Sequence, residues 1–185
     1  VRKHIVNLVA VDTGLNALGW AVWHDAAVGG EMVAPHAVGV IEMNAAELKL
    51  PWEERASAMM QKFSVSVIAA SGIDLQVMEM PEFRPGSAVG HAAAAQESLG
   101  MLYFMCGMHK RTADCFNIKT KFARVSEWKG NMKKELVARR IAAAIGAEDG
   151  RGNPIESHAW DAVGIGLWAL GHRLDDSKKF GRNRR

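Results

Sequence analysis

The segment from His4 to Val11 constrains the fold most, because it is mostly apolar and β-branched and stops abruptly at Asp12-Thr13-Gly14. A short apolar run bounded by such residues reads as a buried strand entering a turn. Leu18 to Trp23, with Gly19 near its start, leads toward Gly29-Gly30, and His36 to Met43 alternates well enough for a third strand. Three strands with short connections suggest an antiparallel meander. Pro51 and Trp52 then open a helical pattern to about Ala70, with Ala56, Met59, Met60, Phe63 and Val67 among its apolar positions. Leu75 to Glu79 is a short apolar strand halted by Pro81. Ser87 is placed to cap a second helix to about His109, whose small residues include Ala88 and Ala92 to Ala95. Cys115 to Ile118 is the expected fifth strand. Helical patterns follow at Met132 to Ile145, ended by Gly146, and at Ser157 to Leu170, capped by Ser157 and ended by Gly171. The order implies an α/β fold, a mixed five-stranded sheet combining an antiparallel meander with parallel strands, with helices packed on both faces.

With 185 residues, of which 49% are hydrophobic, the chain can bury one sizeable core. One domain over residues 1–174 is expected, followed by a basic, flexible arm over 175–185, where 5 of the last 8 residues are Lys or Arg. No apolar run reaches the roughly 18 residues needed to span a bilayer, so no membrane association is expected and the protein should be soluble and intracellular. Cys106 and Cys115 are too few for a disulfide framework and lack zinc-site spacing, so both are expected to be reduced.

The net charge of +3 conceals a marked asymmetry. Residues 1–108 carry −5, residues 109–140 carry +7, residues 141–171 carry −3 and residues 172–185 carry +4. Such blocks suit a surface that meets phosphates while acids elsewhere bind cations, although solvated helix faces produce the same pattern.

Four side chains stand out chemically. Asp12 follows an apolar strand, where a carboxylate is costly unless a cation or a donor compensates for it. Glu79 repeats that pattern after Leu75-Gln76-Val77-Met78. His158 and Asp161 are spaced i,i+3 and share a helix face beside Val163, Ile165 and Leu167. Each has an ordinary alternative: a turn aspartate, a surface glutamate, a local His–Asp pair. Together they form an oxygen-rich set suited to magnesium, and two hard cations can activate water and stabilise the departing oxygen in phosphodiester hydrolysis. His158 could ligate metal or carry a proton.

The stretch Val11-Asp12-Thr13-Gly14-Leu15-Asn16-Ala17-Leu18-Gly19-Trp20-Ala21-Val22 resembles the opening motif of RuvC-type Holliday junction resolvases, an Asp-Pro-Gly turn followed by Gly, an aromatic residue and a return strand. Val77-Met78-Glu79 is similar to their second acidic motif, and His158-Ala159-Trp160-Asp161-Ala162-Val163-Gly164-Ile165-Gly166 to the closing helix that supplies two ligands. Gly130-Asn131-Met132-Lys133-Lys134-Glu135-Leu136-Val137 resembles the basic segment before a helix. The similarity runs from about Ile5 to Leu170. Thr13 replaces the usual proline, and His158 stands where many relatives have Asp.

This resemblance implies an RNase H-like fold and a homodimer making paired nicks in a four-way DNA junction, using Mg2+, two ions per site, or Mn2+. It implies metal ligation by Asp12, Glu79, His158 and Asp161, with Glu82 as the alternative second acid. Lys134 matches a lysine near the scissile phosphate, a role of charge stabilisation, and Lys129 and Lys133 are expected to hold junction arms. Phe83 is the aromatic residue of the loop after Glu79, with Arg84 beside it as a further DNA contact. The setting implied is the cytoplasm or nucleoid of a bacterium or phage-infected cell, or an organelle matrix.

Three other readings compete. A nuclease of the same fold acting on flaps, forks or hybrids would share the ligand set. A non-cleaving junction binder gains nothing from acids beside phosphates. The Asp-x-Gly with Gly-Trp also resembles the first phosphate loop of actin-like kinases and ATPases, which need a second domain that this chain is too short to supply.

Overall fold

Residues 4–82, 92–130, 132–145 and 157–174 are described by the computed structural model. The apolar run near the N-terminus becomes strand β1 (Ile5–Thr13), in which Leu8, Val9, Ala10 and Val11 are fully buried. That burial follows from its position. β1 pairs antiparallel with β2 (Ala17–Ala27) on one side and parallel with β4 (Leu75–Met80) on the other. β3 (Ala37–Glu42) extends the meander and β5 (Lys119–Arg124) closes the far edge, giving the order β3-β2-β1-β4-β5. This is the five-stranded mixed sheet of the RNase H-like fold, with helices on both faces.

Strand alternation divides the core into two layers. Val6, Leu8 and Ala10 of β1 and Val77 of β4 pack on one face, against helices α5 (Lys134–Ile145) and α6 (Ser157–Ala169). Val9 and Val11 of β1 and Met78 of β4 face the opposite way. They meet α1 (Trp52–Phe63), a π-helical turn (Ser64–Ile68) that leads into the short α2 (Ala69–Ser71), and the long α3 (Ala92–Cys115). A short helix α4 (Val125–Trp128) follows β5 directly. It was not expected from sequence.

Two differences from the sequence reading have physical causes. β1 does not stop at Asp12; its ladder continues through Asp12 opposite Gly19 and Thr13 opposite Leu18. The fifth strand is not Cys115 to Ile118. Cys115 is the last residue of α3, Asn117 turns the chain with φ +57°, and the strand begins at Lys119. β5 carries exposed Lys119, Lys121 and Arg124, the charge expected on a strand with one open edge, and those charges hid it from an apolar-run criterion.

Gly171, at φ +91°, follows the end of α6 as expected. Cys106 and Cys115 are both free thiols, the first buried and the second exposed. Among the described residues no helix is long and apolar enough to cross a membrane. The expected cap Ser87, the residues Ala88, Phe83 and Arg84, the stop Gly146 and the basic arm over 175–185 lie outside the described residues.

Candidate active site

The same alternation that builds the core aims the acids. Asp12 is two residues beyond Ala10 and Glu79 two beyond Val77, so both carboxylates emerge on the α6 face at the ends of adjacent parallel strands. α6 then descends onto that edge at its N-terminal end. Gly19, opposite Asp12 in the ladder, makes the approach feasible, because a Cβ there would fall on the backbone carbonyl of His158. Glycine within a strand commonly marks such a close backbone approach.

The helix delivers His158 onto Asp12, with Nδ1 2.6 Å from the Asp12 Oδ2. Asp12 is buried, with 7% of its surface exposed. Asp161, one turn further along α6, lies 3.9 Å from the Lys129 ammonium. Glu79 is held from the side of α4, where the Trp128 indole N–H donates to its Oε2 at 2.9 Å. Behind the acids, the Cys106 thiol reaches through from α3 to within 3.7 Å of both the Glu79 carbonyl and the Thr13 hydroxyl.

Burial, reinforced by the negative charge of Asp12 and then of Asp161, pushes the Glu79 carboxyl up to about 7, against the opposing pull of the Trp128 hydrogen bond and Lys129. Three carboxylates and an imidazole offer hard, oxygen-dominated donors of the kind that suit a divalent cation. Among the described residues, however, no three His, Cys, Asp or Glu side chains form a ready-made cation-binding group. One oxygen of Asp12 faces His158, one of Glu79 faces Trp128 and one of Asp161 faces Lys129.

The structure also places the remaining candidates. Glu82 accepts from the Ser126 hydroxyl at 3.5 Å, whereas Glu79 interacts electrostatically with Asp12 and Asp161. Lys129 lies inside the acidic cluster, its ammonium 5.5 Å from the centre of the Trp128 ring. Lys133 is exposed just ahead of α5. Lys134 is the first residue of α5, and its side chain lies outside the described residues. A cavity of about 370 Å³, lined by Trp128, Lys129, Met132, Trp168 and Arg173 among others, opens beside the cluster, but none of the four candidate ligands lines it.

Sequence reasoning missed two contributors. Trp128 gave no signal beyond its adjacency to Lys129, since nothing in a sequence aims an indole at a carboxylate. Gly19 did give one, an interior strand glycine directly across from the first acid.

Solved structures similar to the chain include Thermus thermophilus RuvC in complex with a Holliday junction substrate, 18% identical with a TM-score of 0.64, covering 95% of this chain and 96% of that one. A second Thermus thermophilus RuvC structure is 17% identical, with a TM-score of 0.61 and coverage of 94% and 97%. The yeast mitochondrial Holliday junction resolvase is 15% identical, with a TM-score of 0.55 and coverage of 92% and 79%. At these identities the likeness establishes the fold. No protein-family model matches the chain, and no curated protein matches it in sequence.

Proposed function

We propose that the chain is a divalent-cation-dependent endonuclease of the RuvC type that resolves four-way DNA junctions as a homodimer, each protomer nicking one of two opposing strands. The observation that carries this reading is the gathering of Asp12, Glu79 and Asp161 at one sheet edge, where burial first, and the charge of the two aspartates after it, lift Glu79 to about 7. The full-length likeness in fold to Thermus thermophilus RuvC, whose solved complex contains a Holliday junction, supports the same reading.

Asp12, Glu79, His158 and Asp161 would hold Mg2+ or Mn2+, which when bound supplies an activated water and charge stabilisation for the departing oxygen. Asp12 orients His158 through Nδ1, so the imidazole would meet either a metal ion or a proton at Nε2. Lys134 neutralises charge developing on the scissile phosphate. Lys129 and Lys133, with Phe83 and Arg84, contact the junction arms.

The test is a panel of labelled four-way junction, Y-fork, flap, linear duplex and RNA–DNA hybrid, each with and without Mg2+. Symmetric, metal-dependent nicks confined to the junction are expected. Equal cutting of flaps or forks would replace junction resolution with general branch cleavage, and no cutting of any substrate would remove the nuclease assignment.

A further inference from the structure

We propose that Trp128 is a positioning residue for Glu79: with Lys129 it forms a two-residue clasp, presented by α4, that orients the acids for a divalent cation. This inference rests on the cation-binding reading of the site and extends it to residues outside the ligand set.

The clasp is built by local geometry. β5 pairs with β4 through Ala123 opposite Glu79 and Arg124 opposite Met80. α4 begins at the next residue, and its last residue, Trp128, reaches back to Glu79 on β4. The start of α4 is pinned, because the Arg124 backbone N–H donates to the Glu127 carboxylate at 2.9 Å.

Trp128 is 3% exposed, and its ring packs against α6 where that helix carries Gly164. A Cβ at residue 164 would sit 2.6 Å from a ring carbon, so the fit depends on glycine. A ring confined in this way has one direction in which to aim its N–H. An indole nitrogen is a donor only, and here its acceptor is Glu79 Oε2 at 2.9 Å. The bond commits one oxygen of Glu79 and restricts the rotation of its carboxylate.

The next residue does the corresponding work on α6. Lys129 stands 3.9 Å from Asp161, its side chain 19% and that of Asp161 14% exposed. Two consecutive residues thus hold two acids that belong to different elements. Groups outside the ligand set that orient ligands in this way set metal affinity, and losing one typically weakens binding by about 10–100-fold.

A buried tryptophan also needs an acceptor on its own account, so the hydrogen bond could serve the packing of α4 alone. Trp128→Phe separates the two roles, because it keeps an aromatic ring against Gly164 and deletes the donor. Mn2+ binding is followed by electron paramagnetic resonance of the free ion, without DNA, alongside thermal unfolding. The variant is expected to bind Mn2+ about 10–100-fold more weakly while still unfolding in one cooperative transition, at a lower temperature than the parent. Parent-like Mn2+ binding by a folded Trp128→Phe overturns the inference alone. A parent protein that binds no Mn2+ removes the metal-centre reading and this inference with it.

Should Trp128→Phe fail to fold, the six indole N–H resonances of the ¹⁵N-labelled parent chain are followed during Mg2+ titration. One resonance is expected to shift with Mg2+, to be displaced in Glu79→Gln and to stay in place in Glu82→Gln. If no indole resonance distinguishes the two glutamate variants, Trp128 does not act through Glu79.

Discussion

The two faces of the sheet are packed with different materials. On the α5 and α6 side the core is interlocked from rigid shapes, with Trp23, Trp128 and Trp160 among Ala, Val, Ile and Leu. There Gly166 admits the Trp23 ring and Gly164 admits the Trp128 ring. On the α1 and α3 side the filler is flexible: Met43, Met59, Met60, Met78 and Met105 are all buried there, beside Phe63 and Cys106. That side also contains the π-helical turn and His109, which is fully buried against Phe63 with neither ring nitrogen bonded. Methionine adapts to irregular gaps, whereas tryptophan over glycine permits one arrangement. The candidate ligands all stand on the interlocked face. Geometry is tightly specified where chemistry is proposed, and packing is adaptable where it is not.

The largest expected effect sharpens the functional half of this contrast. Asp12→Asn should lower junction cleavage by about 10³-fold or more while metal-free junction affinity stays near the parent value, checked by single-turnover cleavage and gel-shift titration. Normal turnover would remove Asp12 from the chemistry. Next, Gly166→Ala should destabilise by about 3 kcal/mol in urea melts, because the added carbon would collide with the Trp23 ring and crowd the Ala10 methyl. A harmless Gly166→Ala would show that the interlocked face has slack.

A pH effect of intermediate size belongs to the adaptable face. Burial pushes the His109 imidazole down to about 3, from 6.5. Below pH 6.5 the unfolded chain takes up a proton there that the folded chain refuses, so this contribution is present above 6.5 and is lost as pH falls toward about 3. At about 1.4 kcal/mol per pH unit, lowering pH from 8 to 5 should cost about 2 kcal/mol through this residue. His109→Leu should show a correspondingly shallower fall in stability between those two pH values; an identical slope would mean that His109 finds a partner or becomes protonated in the fold. The smallest effect is expected for Met59→Leu, a loss under about 1.5 kcal/mol without change in cleavage. If it cost more than Gly166→Ala, the comparison of the faces would be reversed.

Much of this architecture was legible in the sequence because burial leaves a periodic trace. The apolar run into Asp12, the repeat of that pattern at Glu79 and the His158–Asp161 spacing each sit on the expected element. β5 was misplaced because an edge strand is specified by backbone pairing and not by apolar side chains. α4 was missed because four residues carry no helical period. The Trp128 bond was illegible for a deeper reason: it depends on the three-dimensional juxtaposition of β4, α4 and Gly164, elements separated by dozens of residues. Sequence placed the acids on their elements but could not reveal that each one faces a protein donor.

The central claim is that Asp12, Glu79, His158 and Asp161 together hold divalent cations. Anomalous diffraction from crystals soaked in Mn2+ tests it most directly. The account predicts Mn2+ density between the ends of β1 and β4 and the start of α6, lost in Asp12→Asn. Well-ordered crystals with no Mn2+ there, or Mn2+ bound only at other surfaces, would contradict it.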